Sequence, residues 1–133
     1  MADHPNVFPC VKYRDAPAAI EWLGRAFGFD AGLVVPGEGG KVMHAELRNG
    51  VGMIMCGSMS PPDPANPWTT EAFGIYVRVD DVDAHHARAV AAGAEVVRPP
   101  ADTGYGAREY SVRDIEGRLW SFGTYDPFAA AAT

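Results

Sequence analysis

His44 and Glu46 are the pair of side chains in this sequence whose types and spacing best suit chemistry. They stand two residues apart in the segment KVMHAEL, so in a β-strand both side chains would lie on the same face. An imidazole beside a carboxylate can move a proton as a general acid and base, or supply two ligands to a divalent metal. Two residues make an incomplete metal site, however. A structural role is favoured, with His44 hydrogen-bonded to a neighbouring strand and Glu46 facing solvent or paired with Lys41 or Arg48.

The other residues that could do chemistry lack partners at a useful spacing. His85 and His86 are consecutive in a predicted helix, where their side chains diverge by roughly 100°, and the positions four residues further on are Ala89 and Val90. No serine has the context of a nucleophile elbow, and the glycine runs do not open a helix after a strand. Covalent catalysis and phosphate binding are therefore not indicated.

Composition limits the class of protein. A chain of 133 residues can bury one sizeable core, and its formal net charge of −6 comes with 11 lysines and arginines that form no basic stripe for nucleic acid. No apolar run approaches the roughly 20 residues of a membrane helix, and no export signal is visible. We expect a cytoplasmic protein without nucleic-acid or membrane partners, in which Cys10 and Cys56 are buried free thiols.

Periodicity indicates the elements that would position His44 and Glu46. Alternating side chains predict a first strand, and Asp15 should then cap a helix that ends at Gly28. Three strands follow at 31–35, 42–47 and 51–56, the last two joined by a tight hairpin at Asn49-Gly50. These elements make one βαβββ unit.

The second half of the chain repeats this order. Asp15 aligns with Asp81, and either Asp81 or Asp83 should cap the second helix, which Gly93 closes. The stretch 58–70, SMSPPDPANPWTT, has no periodicity and is interpreted as a linker. The sequence thus predicts an α+β fold in one domain, with two tandem βαβββ modules, 5–57 and 71–127, and a frayed tail, 128–133. Each helix should cover the outer face of a cup-shaped sheet.

The chain resembles the vicinal oxygen chelate superfamily, which includes glyoxalase I, bleomycin-resistance proteins and extradiol dioxygenases. The segments YRDAPAAIEWLGRAFGF and YGAREYSVRDIEGRLWSFGTY carry the resemblance, together with the duplicated βαβββ order, and it covers nearly the whole length. It implies the paired-module cup and a homodimer.

Enzymes of this superfamily hold a divalent metal with His and Glu side chains from the first and last strands of each module. The resemblance assigns these positions to Phe8, Met55 (or Ile54 if the register slips by one), Gly74 and Ser121. Only Ser121 offers even a weak ligand, whereas a catalytic site normally needs about three protein ligands. The resemblance therefore implies a member without metal or other cofactor, closest in character to the bleomycin-resistance proteins.

The strand faces turned away from the helices should line a small-molecule cavity that is mostly apolar and aromatic. Trp68 from the linker, Tyr105 and Arg108 are predicted rim residues, although a salt bridge to Glu109 or Asp102 is the favoured role for Arg108. The predicted lining consists of Phe8, Cys10, His44, Met55, Tyr76 and Ser121.

Two classes of function follow. The favoured hypothesis is a metal-independent binding protein that sequesters an aromatic or amphipathic metabolite or antibiotic. The alternative is a lyase, isomerase or dioxygenase-like enzyme that uses His44 and Glu46, either as an acid-base pair or in a displaced site for a metal such as Ni²⁺, Zn²⁺ or Mn²⁺. A third interpretation is a dimeric interaction module whose cavity is filled by its own side chains.

Overall fold

The protein has an α+β fold built on one eight-stranded curved, open sheet. The computed structural model describes residues 4–132. No helix within those residues has the length and apolar character needed to cross a membrane. The first module comprises β1 (Val7–Tyr13), α1 (Ala16–Phe27), β2 (Asp30–Pro36), β3 (Val42–Asn49) and β4 (Gly52–Ser58). The second comprises β5 (Phe73–Arg78), α2 (Val82–Ala91), β6 (Glu95–Asp102), β7 (Arg108–Arg113) and β8 (Leu119–Gly123), followed by the short helix α3 (Pro127–Ala132).

The sheet places the two modules side by side. Its strand order is β2-β3-β4-β1-β5-β8-β7-β6, so each module contributes four adjacent strands. The modules meet where β1 and β5 run antiparallel, with Phe8 opposite Tyr76 and Cys10 opposite Gly74. Each of these strands also lies parallel to the last strand of its own module. The predicted repeat is thus present as a pseudo-two-fold arrangement, and the two-module α+β fold is confirmed.

Local sequence signals determine where the two long helices begin and end. The carboxylate of Asp15 accepts a hydrogen bond of 3.1 Å from the backbone N–H three residues further on, which satisfies a free donor in the first turn of α1. Gly28, with a φ of 77°, ends that helix in the left-handed conformation that glycine tolerates best. Of the two candidates in the second module, Asp81 caps α2, through a bond of 3.0 Å.

The two faces of the sheet carry different apolar clusters. On the helix face, α1 covers a cluster that contains Ala45 and Leu47, and α2 covers one that contains Tyr110 and Val112. A third cluster occupies the opposite, concave face. Its members, with the residues packed against them, are Phe8, Met53, Met55, Tyr76, Cys10, Tyr125 and Phe128.

The segment after β8 crosses the concave face. The ring centroid of Phe128 lies 5.9 Å from that of Phe8, and Phe128 belongs to the short helix α3. The expectation of a frayed tail from residue 128 is therefore wrong for Phe128. An aromatic side chain placed beside an open apolar face is stabilised by covering it.

Candidate functional site

The four positions that the resemblance assigns to a metal lie together on the concave face. Phe8 and Met55 are buried in one apolar cluster, whereas Ile54 packs towards α1, which settles the register in favour of Met55. Gly74 and Ser121 both contact the side chain of Trp68. Three of the four positions thus carry an aromatic ring (Phe8), a thioether (Met55) and a hydroxyl (Ser121), and the fourth, Gly74, has no side chain. This set does not fit Zn²⁺, Ni²⁺ or Mn²⁺, which take imidazole and carboxylate ligands.

Trp68 reaches from the linker into the cup. A Cβ atom at Gly74 would lie 2.4 Å from Cη2 and 2.6 Å from Cζ3 of its indole, so glycine is what leaves room for the ring. The indole Nε1 donates to Ser121 Oγ at 2.9 Å, and that oxygen lies 2.7 Å from Ser111 Oγ. Trp68, predicted at the rim, therefore occupies space inside the cup.

The C-terminal segment closes the other half of the cup. Phe128 stacks on His4 with ring centroids 4.4 Å apart and lies close to Phe8. The guanidinium carbon of Arg48 lies 4.7 Å from the centroid of the Phe128 ring, a distance at which a cation is attracted to a π-system. In this structure the protein's own aromatic side chains therefore occupy part of each half of the cup.

His44 and Glu46 do form a pair on the concave face. His44 Nε2 lies 2.8 Å from Glu46 Oε2, and the hydroxyl of Tyr125 donates to the same oxygen at 2.5 Å. The side chain of Glu46 is 2% exposed, so the expectation that it faces solvent or pairs with Lys41 or Arg48 is wrong. Tyr125 covers the carboxylate and provides a hydrogen-bond donor. Burial, followed by the hydrogen bond to Glu46, raises the pKa of Tyr125, which keeps its phenol protonated.

A second tyrosine and carboxylate face this pair from the other module. Tyr105 donates to Glu109 Oε2 at 3.0 Å, and its ring meets that of Tyr125 edge to face at 5.9 Å. Partial desolvation of the Tyr105 hydroxyl, followed by the charge of Glu109, raises the pKa of Tyr105 to about 12. Tyr105 is 64% exposed and lies at the rim of the cup. Tyr76, by contrast, is buried in the wall of the cup, and its hydroxyl donates to the backbone carbonyl of Tyr125 at 2.7 Å.

Cys10 lies on the concave face, opposite Met55 in the register of β1 and β4. Burial raises the pKa of its thiol to about 12, so it is protonated and a poor nucleophile at neutral pH. Both it and Cys56 are free cysteines, as predicted.

Arg108 does not reach the cup. Its Nε and Nη2 atoms donate to the two carboxylate oxygens of Asp83 at 3.1 and 3.0 Å, and Nη1 donates to Asp102 at 3.1 Å. The prediction of a rim residue is therefore wrong, while the predicted partner Asp102 is correct. In β7, Arg108 shares the helix-facing side with Tyr110 and Val112, because side chains alternate along a strand.

The histidine pair of α2 also lies on the helix side. His85 Nδ1 is 2.6 Å from the hydroxyl of Tyr110, and the centroid of the His85 ring lies 4.0 Å from that of the Phe122 ring. Burial lowers the pKa of His85, which favours the neutral imidazole. Within residues 4–132, no three or more His, Cys, Asp or Glu side chains are grouped so that they could hold a metal ion.

Sequence reasoning missed several residues that shape the cup. Ser111 could have been found by pairing the β7–β8 hairpin, which sets it opposite Ser121. Glu109 follows from the same alternation, since it lies two residues before Ser111 on the same face. Nothing in the sequence pattern marked Tyr125 and Phe128, because they belong to an aperiodic segment beyond the last strand.

Comparison with known families agrees with this architecture. The sequence profile of the glyoxalase/bleomycin resistance protein/dioxygenase superfamily matches residues 7–122, which include most of both modules. The chain belongs to this superfamily. An uncharacterised protein of Mycobacterium bovis is 37% identical over 129 residues, which cover 90% of this chain and 82% of that protein.

Solved structures share the superfamily fold. A superfamily member from Vibrio splendidus has a TM-score of 0.70 and 15% identity, over 88% of this chain and 96% of that one. Methylmalonyl-CoA epimerase from Streptomyces coelicolor has a TM-score of 0.69 and 20% identity, over 93% of this chain and 96% of that one. At these identities the likeness shows the fold alone.

Proposed function

We propose that this superfamily member binds a small aromatic or amphipathic molecule in the cup between its modules, without a metal ion. The observation that supports the proposal is the chemistry of the four positions where the superfamily's enzymes hold their metal. Phe8 and Met55 are packed in an apolar cluster, Gly74 has no side chain, and Ser121 accepts a hydrogen bond from Trp68. A cup of this composition favours planar apolar surface over a hydrated cation.

The lining also favours an aromatic ligand. The cluster on the concave face combines the rings of Phe8 and Tyr76 with the thioethers of Met53 and Met55. Each well-placed aromatic contact adds about 0.5–1.5 kcal/mol beyond area burial, and methionine adapts its shape to different guests. The protein would then sequester a metabolite or antibiotic rather than transform it.

Elemental analysis would test metal independence, using protein purified without chelators or metal-affinity resin. We expect far less than one metal ion per chain, and melting temperatures that do not change when Ni²⁺, Zn²⁺ or Mn²⁺ is added. A specific ion at 100 times its Kd would stabilise the fold by about 2.7 kcal/mol. About one ion per chain, with a raised melting temperature, would contradict the proposal.

A thermal-shift screen of aromatic metabolites and antibiotics would test binding. We expect at least one compound to raise the melting temperature in a saturable way. Replacing Tyr105 at the rim with alanine should weaken that binding, whereas Ile115→Ala should not, because Ile115 is fully exposed in the β7–β8 turn. A hit that responds equally to both changes would place the ligand outside the cup.

We also propose that the protein acts as a homodimer in the cytoplasm. The edge strand β2 carries exposed Leu33 and Val34, and an exposed apolar edge is a liability in water that a second chain could cover. Sedimentation should give twice the chain mass of 14.2 kDa. A monomer at micromolar concentrations would contradict the dimer.

One observation favours a second candidate, an acid-base enzyme. Glu46 is buried and bonded to both His44 and Tyr125, so a proton could pass along this chain of three groups. If the protein catalyses turnover of a ligand found in the screen, Glu46→Gln should abolish turnover while leaving the fold intact. The exposed Glu38 provides the matched control, Glu38→Gln, and equal effects of the two changes would exclude this role.

A further inference from the structure

Trp68 occupies the second-module half of the cup in the manner of a bound guest. Its indole lies against the bare backbone of Gly74, and its Nε1 donates to Ser121 Oγ at 2.9 Å. Ser111 is 1% exposed, and its Oγ lies 2.7 Å from Ser121 Oγ, within hydrogen-bond distance. The backbone at Gly74 thus provides a flat surface for the indole ring, and Ser121 Oγ provides one acceptor for its N–H.

The pseudo-two-fold arrangement shows what the indole replaces. Phe8 and Gly74 occupy equivalent places, because Phe8 lies opposite Tyr76 while Gly74 lies opposite Cys10 in the same antiparallel pair. In the first module the ring on the wall is that of Phe8 itself, which is fully buried. In the second module the wall residue has no side chain, so a ring from elsewhere can occupy the space.

The segment that carries Trp68 is held mainly by its own hydrogen bonds. Thr69 Oγ1 accepts from the backbone N–H of Asp63 at 2.8 Å and donates to the Asn66 carbonyl at 2.8 Å. The Asn66 side chain accepts from the backbone N–H of Trp68 at 3.1 Å. Among the hydrogen bonds of the described residues, the indole bond to Ser121 is the one that ties residues 63–70 to the rest of the protein. Displacing the indole would therefore break the hydrogen bond that holds this segment to the sheet.

Building on the proposed function, we propose that Trp68 is an internal stand-in for the ligand. The space above Gly74 is a subsite for a planar aromatic ring that bears an N–H or O–H donor on its edge, and this donor bonds Ser121. Binding replaces the indole of Trp68, and residues 63–70 move outwards. The ligand class is thereby narrowed to aromatic rings with an edge donor, of the size of an indole.

Free indole tests the subsite in the variant Trp68→Ala. We expect indole to bind this variant saturably, at least tenfold more tightly than it binds the wild type, and to raise its melting temperature, because a cavity emptied of a side chain can accept a molecule of the same shape. Trp22→Ala, on the outer helix α1, is the matched control and should bind no better than the wild type. Indene, which has the same shape without the N–H, should bind Trp68→Ala several-fold more weakly than indole does. Failure of the folded variant to bind indole, or equal binding of indole and indene, would overturn the assignment.

Fluorine NMR provides a test that leaves the chain intact. The protein has three tryptophans, and 5-fluorotryptophan labelling gives one signal for each, assigned by single substitutions. A compound that binds the wild type should shift the Trp68 signal towards that of a solvent-exposed indole and leave the Trp22 signal unchanged. If a compound binds in the cup without shifting the Trp68 signal, the proposal that the ligand replaces the Trp68 indole is wrong, while the proposed function stands. If no compound from the screen binds the wild type, yet Trp68→Ala binds indole, the subsite is supported and the proposed function is not.

Discussion

Replacing Gly74 with alanine should destabilise the protein through Trp68. The new Cβ would lie 2.4 and 2.6 Å from two indole carbons and 3.3 Å from the carbonyl oxygen of Leu119. Contacts below 3.0 Å cannot persist, so the indole must leave its place or the strands must shift. Overpacking of this kind costs about 1–3 kcal/mol. The backbone itself tolerates alanine, because Gly74 is not among the residues with a positive φ.

Urea unfolding of four proteins would measure this effect: wild type, Gly74→Ala, Trp68→Ala and the double variant. In the absence of the indole the remaining close contact is the one at 3.3 Å, so we expect Gly74→Ala to cost well under 1 kcal/mol in that background. The coupling between the two sites should then be about 1–2 kcal/mol, within the range measured for residues in contact. Gly104→Ala is the control, because a Cβ there meets nothing within 4 Å. A Gly74→Ala cost that is the same with and without Trp68 would refute the packing argument.

Three further predictions concern other parts of the molecule. Tyr125→Phe removes a hydrogen bond from the buried carboxylate of Glu46 and should lower the free energy of unfolding by about 1–3 kcal/mol, measured in urea. The thiol of Cys10, with a pKa raised to about 12, should not react with a disulfide reagent at pH 8 until denaturant is added; rapid reaction in buffer would contradict its burial. Hydrogen bonds from the Trp120 indole and from backbone N–H groups hold the pKa of Asp114 below its usual 3.8. The folded state therefore favours the charged form, and the stabilisation is present above pH 3.8 and is lost as the pH falls through the lower, folded pKa. Melting curves should show a gap between wild type and Asp114→Asn at pH 7 that narrows in acid, and a gap that is the same at both pH values would contradict this sign.

The sequence could predict the parts of the fold that depend on local signals. Asp15 and Gly28 bound α1 because a carboxylate can accept from free N–H groups and glycine adopts a positive φ, and both effects act within a few residues. The repeat of these signals around Asp81 was enough to predict two modules. Arg108 was misplaced although the information was present, because alternation with Tyr110 sets it on the helix face.

What covers a strand face is much harder to predict from the pattern. Alternation placed Glu46 on the same face as His44, and the structure agrees, but its burial depends on Tyr125, which is 79 residues away. Trp68 and Ser121 are likewise 53 residues apart. Contacts of this range arise from side chains in aperiodic segments, where no repeat of polar and apolar residues indicates a direction.

The absence of a side chain at Gly74 and the position of Trp68 inside the cup are physically linked. A ligand side chain at that position would collide with the indole, because even a Cβ comes within 2.4 Å of it. Conversely, the indole fits here because residue 74 has no side chain, and its N–H bonds the hydroxyl of Ser121, itself one of the four positions. Placing an imidazole at residue 74 would remove the space for Trp68 yet provide one strong ligand, whereas a catalytic site normally needs about three. A substitution at residue 74 alone would therefore not complete a metal site, because Ser121 offers only a weak ligand that is already bonded to the indole N–H, and Phe8 and Met55 are packed in an apolar cluster.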